Sequence, residues 1–436
     1  MTPAPGPFRF WWRSYDTESP AGPEWRSIGV SGIQEREERL TGHHLLYGPA
    51  PAWADDLLRV SRAVFLADKH AARSRSEDRW TRAFRLSVPV SDPDLWAPAA
   101  SGPLPALLQT LTADVWDVSL RRMRAAPQQG AFPVGEDWRA QEVALFSGGL
   151  DSLSWAATRA AVPGQGVLLL VTYAEKNVED VQREAYAAVK ELGRRSGRRL
   201  WQITAGQTSG GRDGTVVEHT SRPRGLLYTS TAVRFAAADS VASVQVPENG
   251  QIALNPPLSA ARSAALSTRS VHPRTLHLLN KVIESVGGRV KVENPLAGHT
   301  KGDVCRAALA AHLPDASLER TLSCGASPRR LRGLPHVNCG TCYPCLIRRA
   351  GLLSAMGSDD TPYETAPWRP GLSDDRIRHW RALQGWLARE YSALDLIGDL
   401  PLPPGSRTGE WLSVVERGRI ELRALVESAS GVRDVA

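Results

Sequence analysis

The hexapeptide Ser147-Gly148-Gly149-Leu150-Asp151-Ser152 gathers groups that handle phosphate. Glycines let a backbone come close to a ligand, and N–H groups unpaired at the start of a helix point at anionic oxygens. The hydroxyls of Ser147 and Ser152 add donors to such a cradle, and Asp151 offers a carboxylate suited to Mg²⁺. The spacing and the lysine of a Walker A loop are missing. A second set is Cys324, followed by Cys339-Gly340-Thr341-Cys342-Tyr343-Pro344-Cys345. One distant thiolate and a C-x-x-C-x-x-C knot suit a closed tetrahedral Zn²⁺ site, structural because no position is left for a reacting water. An iron–sulfur cluster uses the same ligands and stays open as the alternative. Cys305 lies outside the knot and reads as a small core residue.

These groups need elements to hold them. Val143-Ala144-Leu145-Phe146 before the glycine loop reads as a buried strand, and Leu153, Trp155, Ala156 and Ala160 after it begin a helix. Further strands are expected at 166–173, 199–203 and 241–246, with helices at 181–192 and 226–238 between them. That alternation predicts an α/β domain, a doubly wound parallel sheet with helices on both faces, whose ligands sit at the carboxyl ends of the strands. Tyr173-Ala174-Glu175 and Pro247-Glu248-Asn249-Gly250 then face the same crevice as the loop. Ser221-Arg222-Pro223-Arg224 brings two guanidinium groups for a phosphate or carboxylate. Glu248 and Asn249, with Asn255 further on, suit the edge of a purine-like base. Thr300 caps another helix, leaving Lys301 free to meet a phosphate.

Around this domain, assigned to residues 140–352 with the knot at 324–345, the sequence adds two regions. Residues 1–130 mix strands (Phe8–Trp12, and Phe84 to Val90 in half-buried alternation) with helices around Leu57–Phe65 and Leu104–Leu111, and are expected to form a separate α+β domain. His43-His44 has no third ligand and is not read as a metal site. The stretch 125–135 reads as a linker. Residues 370–436 form a helical extension, with Ile377, Trp380, Leu383, Leu387, Tyr391 and Leu394 on one expected face. The net charge of +7, carried mostly by arginine, suits anionic partners, but no basic arm is present. Nucleic acid therefore stays open as a partner. No apolar run reaches the ~20 residues of a membrane span, and no secretory signal opens the chain, so no membrane association and a cytoplasmic location are expected.

The loop resembles the S-G-G-x-D-S pyrophosphate loop (PP-loop) of the ATP pyrophosphatases, a HUP-like fold that splits ATP into AMP and pyrophosphate. Joined to the knot, it resembles the QueC family, the 7-cyano-7-deazaguanine synthases, over residues 141–352. The matching positions are Ser323-Cys324, Cys339-Gly340, Cys342, Cys345, Arg348 and Gly351, with Pro223-Arg224 and Thr300-Lys301 similar to two further family segments. Gly225 replaces the family's Asn, Gly325 replaces an aromatic residue, and the gap between the first two cysteines is longer. The enlarged chain, with its Glu248-Asn249-Gly250 and Asn255-Pro256-Pro257 segments, is similar to QueC-like proteins of anti-phage defence operons (Qat and CBASS type).

The resemblance implies adenylation of a 7-deazaguanine carboxylate or amide, followed by amine attack. It implies ATP, Mg²⁺ and structural zinc, a deazaguanine substrate and an operon-encoded protein partner whose amine is the acceptor. Ser147, Gly148, Gly149, Ser152 and Tyr173 would bind the nucleotide, Asp151 would hold the magnesium, and Lys301 and Arg224 would offset developing charge. Arg222, Glu248, Asn249 and Asn255 would bind the substrate. An ordinary synthase releasing the nitrile, a tRNA thiolase and a nucleotide-binding assembly subunit are the rival readings.

Overall fold

The computed structural model describes residues 7–13, 18–29, 33–35, 49–124, 139–164, 166–174, 178–209, 217–220, 222–258, 269–325, 329–330 and 336–433. His43, His44, the 125–135 stretch, Glu175 and Ser221 lie outside the described residues.

The first 124 residues carry strands β1 (Phe8–Trp12), β2 (Arg26–Ile28) and β3 (Ile33–Glu35), then helix α1 (Ala52–His70) and strand β4 (Ala83–Val90). Helices α2 (Pro93–Ser101) and α3 (Pro103–Thr112) and strand β5 (Val115–Arg122) follow. The sheet runs β2-β1-β4-β5 with every pair parallel. The α+β expectation is corrected here to α/β. Helices make the crossovers that lead into β4 and β5, and such crossovers return the chain parallel. The misleading signal was the alternation in β4. It arises at the start of the strand, where Phe84 and Leu86 are buried while Arg85 pairs with Asp117 in solvent; Ser87 and Pro89, further along the same face as Arg85, are buried.

The second sheet uses β6 (Ala140–Leu145), β7 (Val167–Tyr173), β8 (Arg199–Ala205), β10 (Ser243–Gln245) and β11 (Lys291–Glu293), while β9 (Gln207–Ser209) forms a small antiparallel ribbon with β3. Its crossovers are α4 (Leu150–Ala160), α5 (Glu179–Ser196), α6 (Arg224–Ala238), and the pair α7 (Gly250–Leu254) and α8 (Pro273–Ser285). All strands are parallel, in the order β11-β10-β6-β7-β8. The chain starts mid-sheet at β6, winds outward through β7 and β8, then returns to pair β10 on the other side. The switch point therefore lies between β6 and β10, where the crevice of a doubly wound sheet opens.

Alternate residues of the strands face two cores. Ala144, Leu168, Leu170 and Leu200 pack with α4, α5, α9 (Lys301–Ala310) and α11 (Tyr343–Met356), with Leu318 of α10 (Asp315–Glu319) in the same cluster. Val143, Leu169, Val171 and Val244 pack with α6 and α8, and this core runs on without a break into Val60 and Val64 of α1, Leu107 of α3 and Phe84 of the first sheet. Polar contacts cross the same seam: Ser61 Oγ lies 2.7 Å from Ser230 Oγ in the interior, and Arg234 Nε donates to half-buried Asp55 at 2.6 Å. The C-terminal α1 residue Lys69 donates to the carbonyls of Glu218 (2.8 Å) and Thr220 (3.1 Å), which fixes the approach to α6.

A short hairpin, β12 (Arg329–Arg330) with β13 (His336–Val337), lies within the cysteine region. The tail forms α12 (Asp374–Ala388), α13 (Ala393–Asp399) and α14 (Thr408–Arg433). The single apolar face expected from Ile377 to Leu394 is broken, because a Ser392/Asp395 capping box starts a new helix. Trp380, Leu383 and Tyr391 are buried against α11 and α14, while Leu394 is 77% exposed. Among the described residues no helix is long and apolar enough to cross a membrane.

Candidate active site

The glycine loop leaves β6 and enters α4 at the switch point. Gly148 takes φ +72°, and a Cβ there would meet Gln182 Cα at 2.9 Å, so glycine is required both by conformation and by space. The Gln182 side chain clamps the turn, its Nε2 donating to the carbonyls of Ser147 (3.2 Å) and Tyr173 (3.0 Å). Ser147 Oγ accepts from Gly149 N at 3.2 Å and lies 3.1 Å from Ser152 Oγ. Ser147 is exposed, and α4 has no side-chain cap. A helix with an uncapped N-terminus and two hydroxyls beside it is suited to phosphate oxygens.

In the first turn of α4, Asp151 is buried at 6% exposure and meets residues from two other segments. Lys301 Nζ donates to its Oδ1 at 2.7 Å. Asn249 gives Oδ2 two hydrogen bonds, from its backbone N at 3.2 Å and its Nδ2 at 2.8 Å. Glu248 Oε1 accepts from the same Asn249 Nδ2 at 3.1 Å. Burial alone would raise the Asp151 carboxyl, but the Lys301 charge and the hydrogen bonds from Glu248, Lys301 and Asn249 hold it at about 2. Glu248 goes the other way. Burial first, and then the neighbouring Asp151 charge, push its carboxyl well above the usual range.

Lys301 opens α9, and all three N–H groups of that first turn are taken. Lys301 N donates to Gln251 Oε1 (2.9 Å), Gly302 N to Glu421 Oε2 (3.2 Å), and Asp303 N to the Thr300 cap (3.1 Å). The expectation of a lysine free to meet a phosphate is thereby corrected. The cap is there, but the amides are spent on side chains and the ammonium is paired with Asp151.

Tyr173, at the end of β7, stacks on Tyr228 with centroids 3.9 Å apart, and its hydroxyl lies 2.5 Å from Thr231 Oγ1. Arg224 is exposed, its guanidinium 5.7 Å from the Tyr228 ring centre. Asn255 ends α7 in the left-handed conformation at φ +45°, a conformation asparagine tolerates better than most residues. Arg222 makes its contacts elsewhere: its Nη1 donates to the Thr112 carbonyl at 2.7 Å, and it lies over Trp80 at 4.5 Å. Burial and the nearby Arg73 lower it to about 10. The fold thus gathers Asp151, Lys301, Glu248 and Asn249 around the loop and ties Arg222 to the first 124 residues.

Sequence reasoning missed Gln182, Tyr228 and Glu421, and it read Gln251 with Glu248 and Asn249 as a base-binding amide, where its Oε1 accepts from Lys301 N. Gln182 carried one signal, a polar residue at a buried helical position.

The four cysteine sulfurs lie within 4.8 Å of one another. Cys324 Sγ is 3.9 Å from Cys342 Sγ, and Cys339 Sγ is 3.8 Å from Cys345 Sγ. Sulfurs held ~2.3 Å from a tetrahedral zinc stand about 3.8 Å apart, so the donor set fits zinc. Backbone N–H groups of Gly325 and Cys342 point at Cys342 Sγ and Cys339 Sγ at 3.4 Å, as thiolates require. The knot reaches the loop. Asn338 accepts from Ser323 N (2.9 Å) and donates to the Thr321 carbonyl (3.0 Å), while Ser323 Oγ accepts from Leu150 N at 3.4 Å. Fully buried Arg348 ties α11 to the same segment through Thr321 Oγ1 (2.6 Å) and the Leu318 carbonyl (2.8 Å).

No curated protein matches the chain. Residues 271–356, from just before α8 to the end of α11, match the family described as "Queuosine biosynthesis protein QueC", which makes the segment holding Lys301 and the cysteine knot QueC-like.

Proposed function

We propose that the protein is a QueC-like ATP-dependent enzyme that adenylates a carboxylate, or the derived amide, on a 7-deazaguanine and passes the acyl group to an amine. The observation that carries this reading is the meeting of Asp151, from the uncapped glycine-loop helix, with Lys301, from the QueC-matched segment. A carboxylate oxygen of the substrate attacks the α-phosphorus of ATP, and the bond to the bridging oxygen breaks to release pyrophosphate. The amine then takes the acyl group, AMP leaves with the electron pair of the cleaved bond, and the amine sheds one proton. Ser147, Gly149 and Ser152 hold the departing pyrophosphate, and Lys301 and Arg224 offset its charge. Asp151, with Glu248 beside it, supplies the oxygen donors that magnesium prefers, and magnesium bound there would neutralise phosphate charge. Tyr173 at the end of β7, Asn249 after β10 and Asn255 after α7 are of types that suit contacts to planar bases.

The acceptor we infer is an amine on an operon-encoded partner protein, which the 1–130 and 370–436 regions would receive. The test uses the full chain with ATP, magnesium and 7-carboxy-7-deazaguanine. Wild type should yield AMP and pyrophosphate, and Asp151→Ala should lose about 10²–10³ in rate. ADP as the product would overturn the reading. Intact-mass spectrometry of the partner decides the acceptor, since an unmodified partner beside free 7-cyano-7-deazaguanine would make this an ordinary synthase.

A further inference from the structure

The C-terminal helix α14 lies outside the QueC-matched segment, yet three of its residues close on the turn that carries Lys301. Glu421 Oε1 accepts from the Thr300 hydroxyl at 2.5 Å and its Oε2 from Gly302 N at 3.2 Å, so one carboxylate brackets Lys301 on both sides. One turn earlier, Arg417 pairs with the capping Asp303 and donates to the Gly298 carbonyl at 2.6 Å. Gly418 leaves room for Gln251, a Cβ there colliding with the glutamine side chain whose Oε1 takes the Lys301 N–H. Positions 417, 418 and 421 share one helical face. Glu421 is 7% exposed, and the hydrogen bonds it accepts from Thr300 and Gly302 compensate its burial. Gly302 fits the same design, because a Cβ at that position would run into the Glu421 carboxylate.

We propose that Glu421 is a positioning residue for the ATP-dependent reaction: through the first turn of α9 it sets Lys301 against Asp151 at the mouth of the glycine loop. The effect on turnover rests on the function proposed above; the effect on Lys301 does not. Loss of Glu421 frees the Thr300 hydroxyl and the Gly302 N–H to seek water, and the α9 turn shifts. A displacement of about 1 Å at a reacting centre costs about a hundredfold in rate.

Six lysines in the whole chain make the experiment readable. In full-length protein labelled with ¹⁵N-lysine, the slowly exchanging ammonium signal missing from Lys301→Met is that of Lys301. It should vanish or shift in Glu421→Ala and be partly kept in Glu421→Gln, which retains one acceptor. Turnover should follow the same order, kcat falling about a hundredfold in the alanine variant with the KM for ATP little changed. Leu425→Ala, which cuts the α14 core away from α9, should lower Tm yet keep both the signal and kcat. An unchanged Lys301 signal in folded Glu421→Ala and Glu421→Gln overturns the proposal, as does an equal loss in Leu425→Ala. Should wild type form no AMP, the function reading fails while the lysine signal still decides the role of Glu421.

Discussion

Replacing Lys301 with methionine tests the centre of the site through stability, without a substrate. Its ammonium lies 2.7 Å from Asp151, and the two side chains are 4% and 6% exposed. Removing one partner of a buried pair costs ~3–5 kcal/mol, since the other charge is stranded. Asp151 would keep both Asn249 hydrogen bonds, which places the loss at the lower end, about 3 kcal/mol. In an Asp151→Asn background no charge is stranded, so the same substitution should cost far less and the cycle should show a coupling of about 2 kcal/mol. Urea unfolding at neutral pH measures all four chains. The acid limb gives a second reading. With its carboxyl held at about 2, Asp151 contributes stability that is complete above its unfolded value near pH 4 and lost as pH falls through about 2. Without Lys301, burial dominates and that loss moves to higher pH. Additivity within about 0.5 kcal/mol, or an acid limb that does not move, would refute the pairing.

Elemental analysis should find about one zinc per chain, and Cys342→Ser should lose the metal and lower Tm sharply; iron with sulfide in the same preparation would replace the zinc reading. Gly148→Ala sets a side chain at φ +72° against the Gln182 backbone, so it should cost ~1–3 kcal/mol and abolish ATP binding by calorimetry. Normal binding would show that the loop yields. A chain starting at residue 139 should be insoluble, because Val60 and Val64 of α1 and Leu107 of α3 complete the core under α6 and α8; a soluble, cooperatively melting fragment would show that the two sheets fold independently.

Legibility in the sequence followed the range of the interaction that fixes each element. The helix into which the glycine loop opens, the parallel run of β6, β7 and β8, and the cysteine cluster are set by neighbours in sequence, and all could be read there. The Thr300 cap is likewise local, since hydroxyl and amide stand three residues apart. The partners of Lys301 were not readable. Its carboxylate stands 150 positions away, and the Glu421 that brackets it 120 away. Arg222 failed for a related reason: a guanidinium before a helix looks the same whether it meets a phosphate or, as here, the Thr112 carbonyl and the Trp80 ring. The alternation at the start of β4 misled the α+β expectation because alternation reports how many faces are buried, not how strands are connected.

The two helix starts that meet at Asp151 divide the chemistry between them. At α9 the three leading amides are consumed by Gln251, Glu421 and Thr300, so that turn has nothing left to give an anion and acts as a rigid mount for one ammonium. At α4 the N-cap is Gly149, and the side chains that meet its leading amides are neutral hydroxyls: Ser147 Oγ accepts from Gly149 N at 3.2 Å and Ser323 Oγ from Leu150 N at 3.4 Å. An incoming phosphate thus meets hydroxyls at the α4 start, which lies at the switch point between β6 and β10, and a carboxylate at the α9 start. The α9 start depends on α14 and α7, and the α4 start on Gln182 of α5 and Ser323 beside the cysteine knot. Each terminus is held from outside its own helix, so the geometry of the glycine loop and of Lys301 beside it is sensitive both to the cysteine knot and to the C-terminal helix.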